Sequence, residues 1–440
     1  MIVEFRFRNF RSFRDMQTLS FVATADTTHT RHVTAEPQVG NKKLVRAAVI
    51  YGANASGKSN VIEALHFLRD FVLNSGSRKP GEPIPVQPFL LDDHSAQEPS
   101  EFELTFIHDD IRYLYAISLD RARVRREVLI AYPQGPPQTW FAREYDNETQ
   151  QTQFKFGARL HGEKKRLQNL TREDVLFLSI AAQFNHPQLG SIYQYFSREV
   201  LAVTSRVASQ VDFLEKMTAR FSVGNHVLRE NIMRLLQLAD LGIENFVIEE
   251  LDFSEDEFAG LEMTLTRSNI PIERQREMLR DTSDAIRMLH KGSGDVGLTE
   301  FPMSNESLGT RRLFGLSGLW LLTLQAGTTL AVDELDASLH PLLVRAMLNM
   351  FFDPKYNQKE AQLLFNTHDT TLLDTAILRR DQIWFVEKDQ EGASHLYPLS
   401  DFSARKDGAL EKGYLRGRYG ALPFIDLARD EDVIGVGQEG

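Results

Sequence analysis

The segment Gly52-Ala53-Asn54-Ala55-Ser56-Gly57-Lys58-Ser59 constrains this chain more than any other. It has the form G-x-x-x-x-G-K-[ST], a loop that wraps phosphate. An apolar, β-prone run from Leu44 to Tyr51 precedes it, and a helical pattern from Asn60 to Leu73 follows. Strand, glycine loop, helix is the order the motif requires. Glycines let the backbone turn tightly and aim successive N–H groups at anionic oxygens. The start of the helix adds partial positive charge at the same spot. The motif assigns Lys58 to the β- and γ-phosphates and the Ser59 hydroxyl to Mg²⁺. The expected ligand is therefore a nucleotide, held in an α/β fold.

Composition narrows the setting. The 440 residues suffice for one large domain or for two or three ordinary ones. Hydrophobic residues make up 42% and charged residues 25%, as in ordinary globular proteins. No apolar run approaches the roughly 20 residues of a membrane-spanning helix. Met1-Ile2-Val3-Glu4-Phe5-Arg6 reads as amphipathic strand, not as a signal peptide. Cysteine is absent, which excludes disulfides, thiolate zinc sites and cysteine nucleophiles and leads us to expect a cytoplasmic protein. The formal net charge of -11 is unlike that of a chain that only coats nucleic acid. Basic residues do cluster, at Arg121, Arg123, Arg125 and Arg126, at Lys164 to Arg166, and at Arg405, Lys406, Lys412, Arg416 and Arg418. Each cluster is either a solvated face or part of a local anionic groove.

Residues 2–8 alternate as a strand with one buried face, and Thr18 to Ala23 suggests another. The Pro- and Gly-rich stretch 75–88 reads as an exposed connection. Three β-type runs follow, Glu101 to Ile107, Arg112 to Leu119 and Arg125 to Ala131, an antiparallel lobe with a turn at His108-Asp109-Asp110. Val175 to Ala182 is a further apolar run, ending in a strand before Gln183. Helical spacing then runs from about Gln188 to Leu241, without the sustained heptads of a long coiled coil. Strands are expected at Phe246 to Leu251, Leu261 to Thr266, Thr328 to Val332, Gln362 to Asn366 and Gln382 to Val386. Helices are expected at Leu308 to Gln325 and Pro341 to Phe352. The phosphate loop and the late α/β elements thus flank antiparallel and helical material, which suggests one nucleotide-binding unit with large insertions.

The late strand ends in Asp333-Glu334, where an α/β sheet places its ligands. Asp333 suits Mg²⁺, and Glu334 suits a general base that polarises water. Phe365-Asn366-Thr367-His368-Asp369 sets a histidine just past another apolar strand, fit to bond a γ-phosphate or the attacking water. Glu306-Ser307-Leu308-Gly309-Thr310-Arg311-Arg312 opens a helix with a Ser and a Gly backbone, another anion-binding geometry.

In this order the motifs resemble ABC-type ATPases, and more narrowly the SMC- and RecF-related branch. Asn9-Phe10-Arg11-Ser12-Phe13 and Asp333-Glu334-Leu335-Asp336-x-Ser338-Leu339-His340-Pro341 look like that branch. Together with Gly413-Tyr414-Leu415-x-Gly417-Arg418-Tyr419-Gly420-Ala421, they are most similar to RloA-like stand-alone ATPases of abortive-infection and other phage-defence operons.

The resemblance implies an α/β ABC-type head with an antiparallel β lobe, a mixed core sheet and a short helical insertion. It divides the chain into halves at 1–187 and 243–440 around an insertion at 188–242. It assigns Gly52, Asn54, Ala55, Ser56, Gly57, Lys58, Ser59 and Asn60 to the Walker A loop and its helix start, and Arg11 to the same nucleotide. Asp333 matches Walker B and Glu334 the catalytic glutamate. Ser307 and Gly309 match the signature, Asp336 the D-loop and His368 the switch histidine. Gln183 is the first candidate for the Q-loop contact to Mg²⁺, and Gln87 the second. The segment Glu-Ser-Leu-Gly-Thr departs from the common Leu-Ser-Gly-Gly-Gln.

The implied cofactors are ATP and Mg²⁺. The implied assembly is an ATP-dependent homodimer in which each signature completes the partner's site. The implied role is a regulatory ATPase for an effector, a nuclease or toxin. A compact RecF-like clamp on duplex DNA is the alternative. A fused Toprim nuclease of the OLD type is disfavoured by the short stretch after His368.

Overall fold

The computed structural model describes residues 1–35, 39–133, 136–204, 211–239, 242–249, 286–292, 297–402 and 410–422. The phosphate loop joins β3 (Ala47–Gly52) to α1 (Lys58–Asn74). All six residues of β3 are buried, because a strand inside a parallel sheet is covered on both faces. Around it lies a six-stranded sheet in the order β16-β15-β3-β14-β13-β9. Its other members are β9 (Val200–Val203), β13 (Thr329–Val332), β14 (Gln362–Asn366), β15 (Ile383–Lys388) and β16 (Ser394–Pro398). Only the β15–β16 pair is antiparallel.

A second, seven-stranded antiparallel sheet runs in the order β2-β1-β4-β5-β6-β7-β8. It contains β1 (Ile2–Arg8), β2 (Gln17–Ser20), β4 (Ser100–His108), β5 (Ile111–Leu119), β6 (Val124–Tyr132), β7 (Gln138–Asp146) and β8 (Gln151–Phe156). Asp109 and Asp110, both at positive φ, form the two-residue turn between β4 and β5, as a tight hairpin demands. β7 and β8 are strands that the sequence pattern did not suggest. Helices α2 (Lys165–Leu170), α3 (Phe177–Gln183) and α4 (Pro187–Arg198) follow.

Among the described residues the remaining α-helices are α5 (Val211–Ser222), α6 (His226–Leu238), α7 (Leu308–Ala326), α8 (Pro341–Phe352) and α9 (Leu410–Leu415). A small sheet is made of β10 (Ile243–Ile248), β11 (Ile286–Lys291) and β12 (Leu298–Pro302).

Alternation along the core strands sorts their side chains between two cores. Ala48, Ile50, Leu364 and Val386 join α1 and the antiparallel sheet, through Val61, Leu65, Phe5 and Phe102. Ala47, Val49, Tyr51, Leu330 and Phe365 face the other way, onto Leu313 and Trp320 of α7 and Leu348 and Phe351 of α8. The core sheet is thus sandwiched, and its strand ends carry the loops of the site.

Three expectations change. Val175 to Ala182 leads into the helix α3, not a strand; Glu127, fully buried, accepts the Phe177 and Leu178 N–H groups at 2.7 and 2.9 Å and so caps the helix start. The stretch from Gln188 to Leu241 is not continuous helix. It includes β9, which pairs with β13 as the edge of the core sheet. The connection 75–88 is not simply exposed, since Ile84 and Val86 are buried and its Gln87 carbonyl accepts the Arg11 N–H at 2.8 Å. The expected strand at Leu261 to Thr266, together with Arg405 and Lys406, lies outside the described residues.

Candidate functional site: a phosphate loop beside an acidic turn

The phosphate loop is built against a tight floor. A Cβ on Gly52 would stand 2.3 Å from the Val386 carbonyl oxygen, so β15 passes directly beneath it. Gly57 has φ +114°, and a side chain there would meet Ser394 Oγ at 2.6 Å and Ser12 Oγ at 2.7 Å. Those two hydroxyls bond each other at 2.8 Å, and Ser394 Oγ also donates to the Ser56 carbonyl. Asn60 donates to Ser12 Oγ at 2.8 Å, and Arg11 donates to Asn60 and Glu63, each at 3.2 Å. The N-terminal turn and β16 therefore brace the loop.

Lys58 Nζ donates to the Gly52 and Ala53 carbonyls, each at 2.9 Å. Burial pushes its amine below the usual lysine range, against the opposing pull of Asp333, Glu334 and Asp336. That pull places the three acids in the electrostatic neighbourhood of the amine, although they stand far away in sequence. The link is the strand order, since β14 alone separates β3 from β13.

Asp333 is fully buried at the end of β13, and Asn366 Nδ2 donates to its Oδ1. Glu334 is exposed, with φ +52°. Its N–H donates to Asn366 Oδ1 at 2.6 Å, and Arg312 Nη2 donates to its carbonyl. Asp336 Oδ2 accepts the His368 N–H at 3.2 Å, while its Oδ1 is buried without a partner. His368 itself is exposed. Ser307 caps α7, accepting the Thr310 N–H at 3.1 Å. Gly309 packs so closely on the Ser338 carbonyl that a Cβ would lie 2.6 Å from it. The start of α7 thus sits beside the turn beyond Asp336.

Gln183 does not join this group. It ends α3, and its side chain abuts Gly76 past the C-terminal end of α1. The loop lies at the opposite end of that 17-residue helix, about 25 Å away. Gln87 lies at the right end, exposed, its carbonyl bonded to the Arg11 N–H. Both are polar residues beside apolar runs, and only the packing around α1 separates them. Sequence reasoning passed over Asn366, Arg312, Ser12 and Ser394 as members of the site. Asn366 at a buried strand end, two residues before the histidine, was one available signal; Ser12 and Arg312 stood inside motifs already noted.

The residues present fit a nucleotide with Mg²⁺. Ser56 Oγ is buried in the loop without a hydrogen-bond partner. Among the described residues no group of three or more His, Asp or Glu side chains could hold a metal ion alone. Ser59 and Asp333 are two hard oxygen donors, the number Mg²⁺ takes from protein when phosphates supply others.

The chain matches the family model of AAA_21, described as "AAA domain, putative AbiEii toxin, Type IV TA system", over residues 47–187 and 226–374. These stretches cover well over half of the sequence and include the phosphate loop, the acidic turn and His368. The fold is mixed α/β with a phosphate loop at the end of a parallel core strand, and the chain belongs to the AAA_21 family. Among solved structures it is similar to an SMC head bound to the C-winged helix domain of ScpA. There the identity is 14% and the TM-score 0.41, covering 90% of this chain and 97% of that one. It is also similar to the SMC head domain from Thermotoga maritima, with 16% identity and a TM-score of 0.40 over 90% of this chain and 98% of that one. No curated protein matches the sequence significantly.

Proposed function

We propose that this chain hydrolyses ATP, that two copies pair around two ATP molecules, and that the cycle controls a partner effector. The carrying observation is that the loop of Lys58 after β3 and the turn of Asp333, Glu334 and Asp336 after β13 leave the same end of the core sheet, with β14 alone between the two strands. In this reading Lys58 leaves the Gly52 and Ala53 carbonyls for the β- and γ-phosphate oxygens. Asn54, Ala55, Ser56, Gly57 and Asn60 line the phosphate cradle, with Arg11 beside it. Ser59 and Asp333 hold Mg²⁺, which neutralises charge on the β- and γ-oxygens when bound. Glu334 takes the proton of the attacking water as its oxygen bonds the γ-phosphorus and the β–γ bridge breaks. His368 bonds the γ-phosphate, and Gln87 replaces Gln183 as the contact to water and metal.

The pairing is supported by the position of Gly309, whose nearest neighbour outside its own helix start is Ser338, beyond the acidic turn. Each copy then offers its α7 start to the partner's nucleotide. The segments 1–187 and 243–440 act as the two halves of one head, with 188–242 contributing β9 to it as well as helices.

The family description names a toxin–antitoxin setting, and that supports an effector-linked role in defence. For a DNA clamp, two members of the first basic cluster offer little. Arg123 pairs with Glu173 and Arg125 with Asp120, so these cations are already engaged. The stretch after His368 carries one Asp-x-Asp, Asp430-Glu431-Asp432, so a missing acidic cluster gives no case against a fused nuclease.

Lys58→Ala tests the assignment. Losing the cation at the developing phosphoryl charge should cut turnover by roughly 100- to 1,000-fold, read by phosphate release. Wild-type turnover in this variant would end the ATPase reading.

A further inference from the structure

Glu334 occupies the left-handed region of backbone space, which a non-glycine residue enters only when its neighbours hold it there. Both ends of its backbone are held. Its N–H is fixed by Asn366 of β14, and its carbonyl by Arg312 Nη2 of α7. The same nitrogen reaches the Asp333 carbonyl at 3.5 Å. Asn366 belongs to the buried core sheet and is a fixed post. Arg312 belongs to a helix that starts at the Ser307–Gly309 segment, about one turn away. Its guanidinium is buried and its Nε has no hydrogen-bond partner.

We infer that Arg312 is a positioning residue for Glu334, tying the signature end of α7 to the acidic turn of the same chain. The inference rests on the paired-site reading above. A phosphate seated at Ser307–Gly309 by the partner's nucleotide shifts the first turns of α7, and Arg312 carries that shift to the Glu334 peptide. Each copy's general base then responds to the nucleotide held in the other site. Neither Asn366 nor the phosphate loop can supply this link, because both belong to the core sheet and α1 rather than to α7.

The test compares Arg312→Lys with Arg312→Gln in the full-length protein, with ATP as the probe. Lysine keeps the charge that faces Asp333, Glu334 and Asp336 but gives up the planar fork. For both variants kcat should fall about 100-fold, as for a misplaced catalytic group. KM for ATP and the melting temperature should stay near wild type. The cooperative dependence on ATP that the paired site implies for the wild type should flatten to a simple hyperbola. Wild-type kcat and cooperativity in Arg312→Lys would overturn the inference. A joint change of kcat, KM and melting temperature in both variants would reduce Arg312 to a structural residue and overturn it equally. Ser307→Arg separates the two levels of the argument. If it turns over like wild type, the paired site itself is wrong. If it is inactive while Arg312→Lys is normal, only the role of Arg312 is lost.

Discussion

Asn366 shows how much of the acidic turn hangs on one uncharged side chain. Its Nδ2 donates to the buried Asp333 carboxylate, its Oδ1 accepts the Glu334 N–H, and its carbonyl accepts the Leu335 N–H at 3.2 Å. Asn366→Leu keeps the volume and takes a hydrogen bond from the buried Asp333 carboxylate and another from the Glu334 N–H, and a buried polar group that loses its partner costs about 1–3 kcal/mol. Urea unfolding should show the loss, and phosphate release should fall with it; unchanged stability would mean that the turn finds other partners. A second residue gives the fold a pH dependence. His32 stacks on Phe352 of α8 and bonds Gln382 Oε1 through Nδ1 at 2.9 Å. Burial lowers its pKa from 6.5 to about 4. Between these values the unfolded chain binds the proton and the folded chain does not, so stability falls as pH drops through the window and levels off above it. His32→Gln should flatten this part of a urea-midpoint profile; a slope that persists unchanged would assign it to other groups. The glycine loop and the Asp-Glu pair are contiguous, so they are legible as motifs. Asn366 and Arg312 act through contacts that only the folded chain makes.

At the scale of elements, α7 depends on two glycines that its apolar pattern did not mark. A Cβ on Gly318 would meet Thr218 Oγ1 at 2.4 Å, and one on Gly315 would meet Leu214 Cβ at 2.7 Å. Thr218 Oγ1 also donates to the Gly315 carbonyl at 2.7 Å. α5 and α7 therefore touch almost backbone to backbone. Gly318→Leu overpacks this contact and should destabilise the fold by roughly 1–3 kcal/mol, read from a denaturant midpoint. A neutral result would mean that the helices separate freely. Helices α7 and α8 were legible because length and capping agree along each, and β14 because a short apolar run suits a strand covered on both faces. The run after Val175 was not, because a short apolar stretch fits strand and buried helix alike. A carboxylate from β6, Glu127, made the choice.

For the whole molecule, the paired-site reading predicts a nucleotide-dependent assembly. Glu334→Gln removes the general base while leaving Lys58 and Asp333 to hold ATP. Sedimentation should find it monomeric alone and dimeric with ATP, since a ligand bound only by the pair shifts the population toward it. A variant that stays monomeric at saturating ATP would rule the pair out. Among the described residues no helix is long and apolar enough to cross a membrane. By itself the sequence determined that a phosphate loop stands between a buried strand and a helix, because that chemistry is written in eight neighbouring residues. It also determined which strands are apolar enough to form a core. Only the tertiary structure decided that β14 stands between β3 and β13, that β9 closes the edge of that sheet, and that Gln87 rather than Gln183 lies at the loop's end of α1. Those outcomes depend on which strand edges pair and which faces pack, and local pattern carries neither.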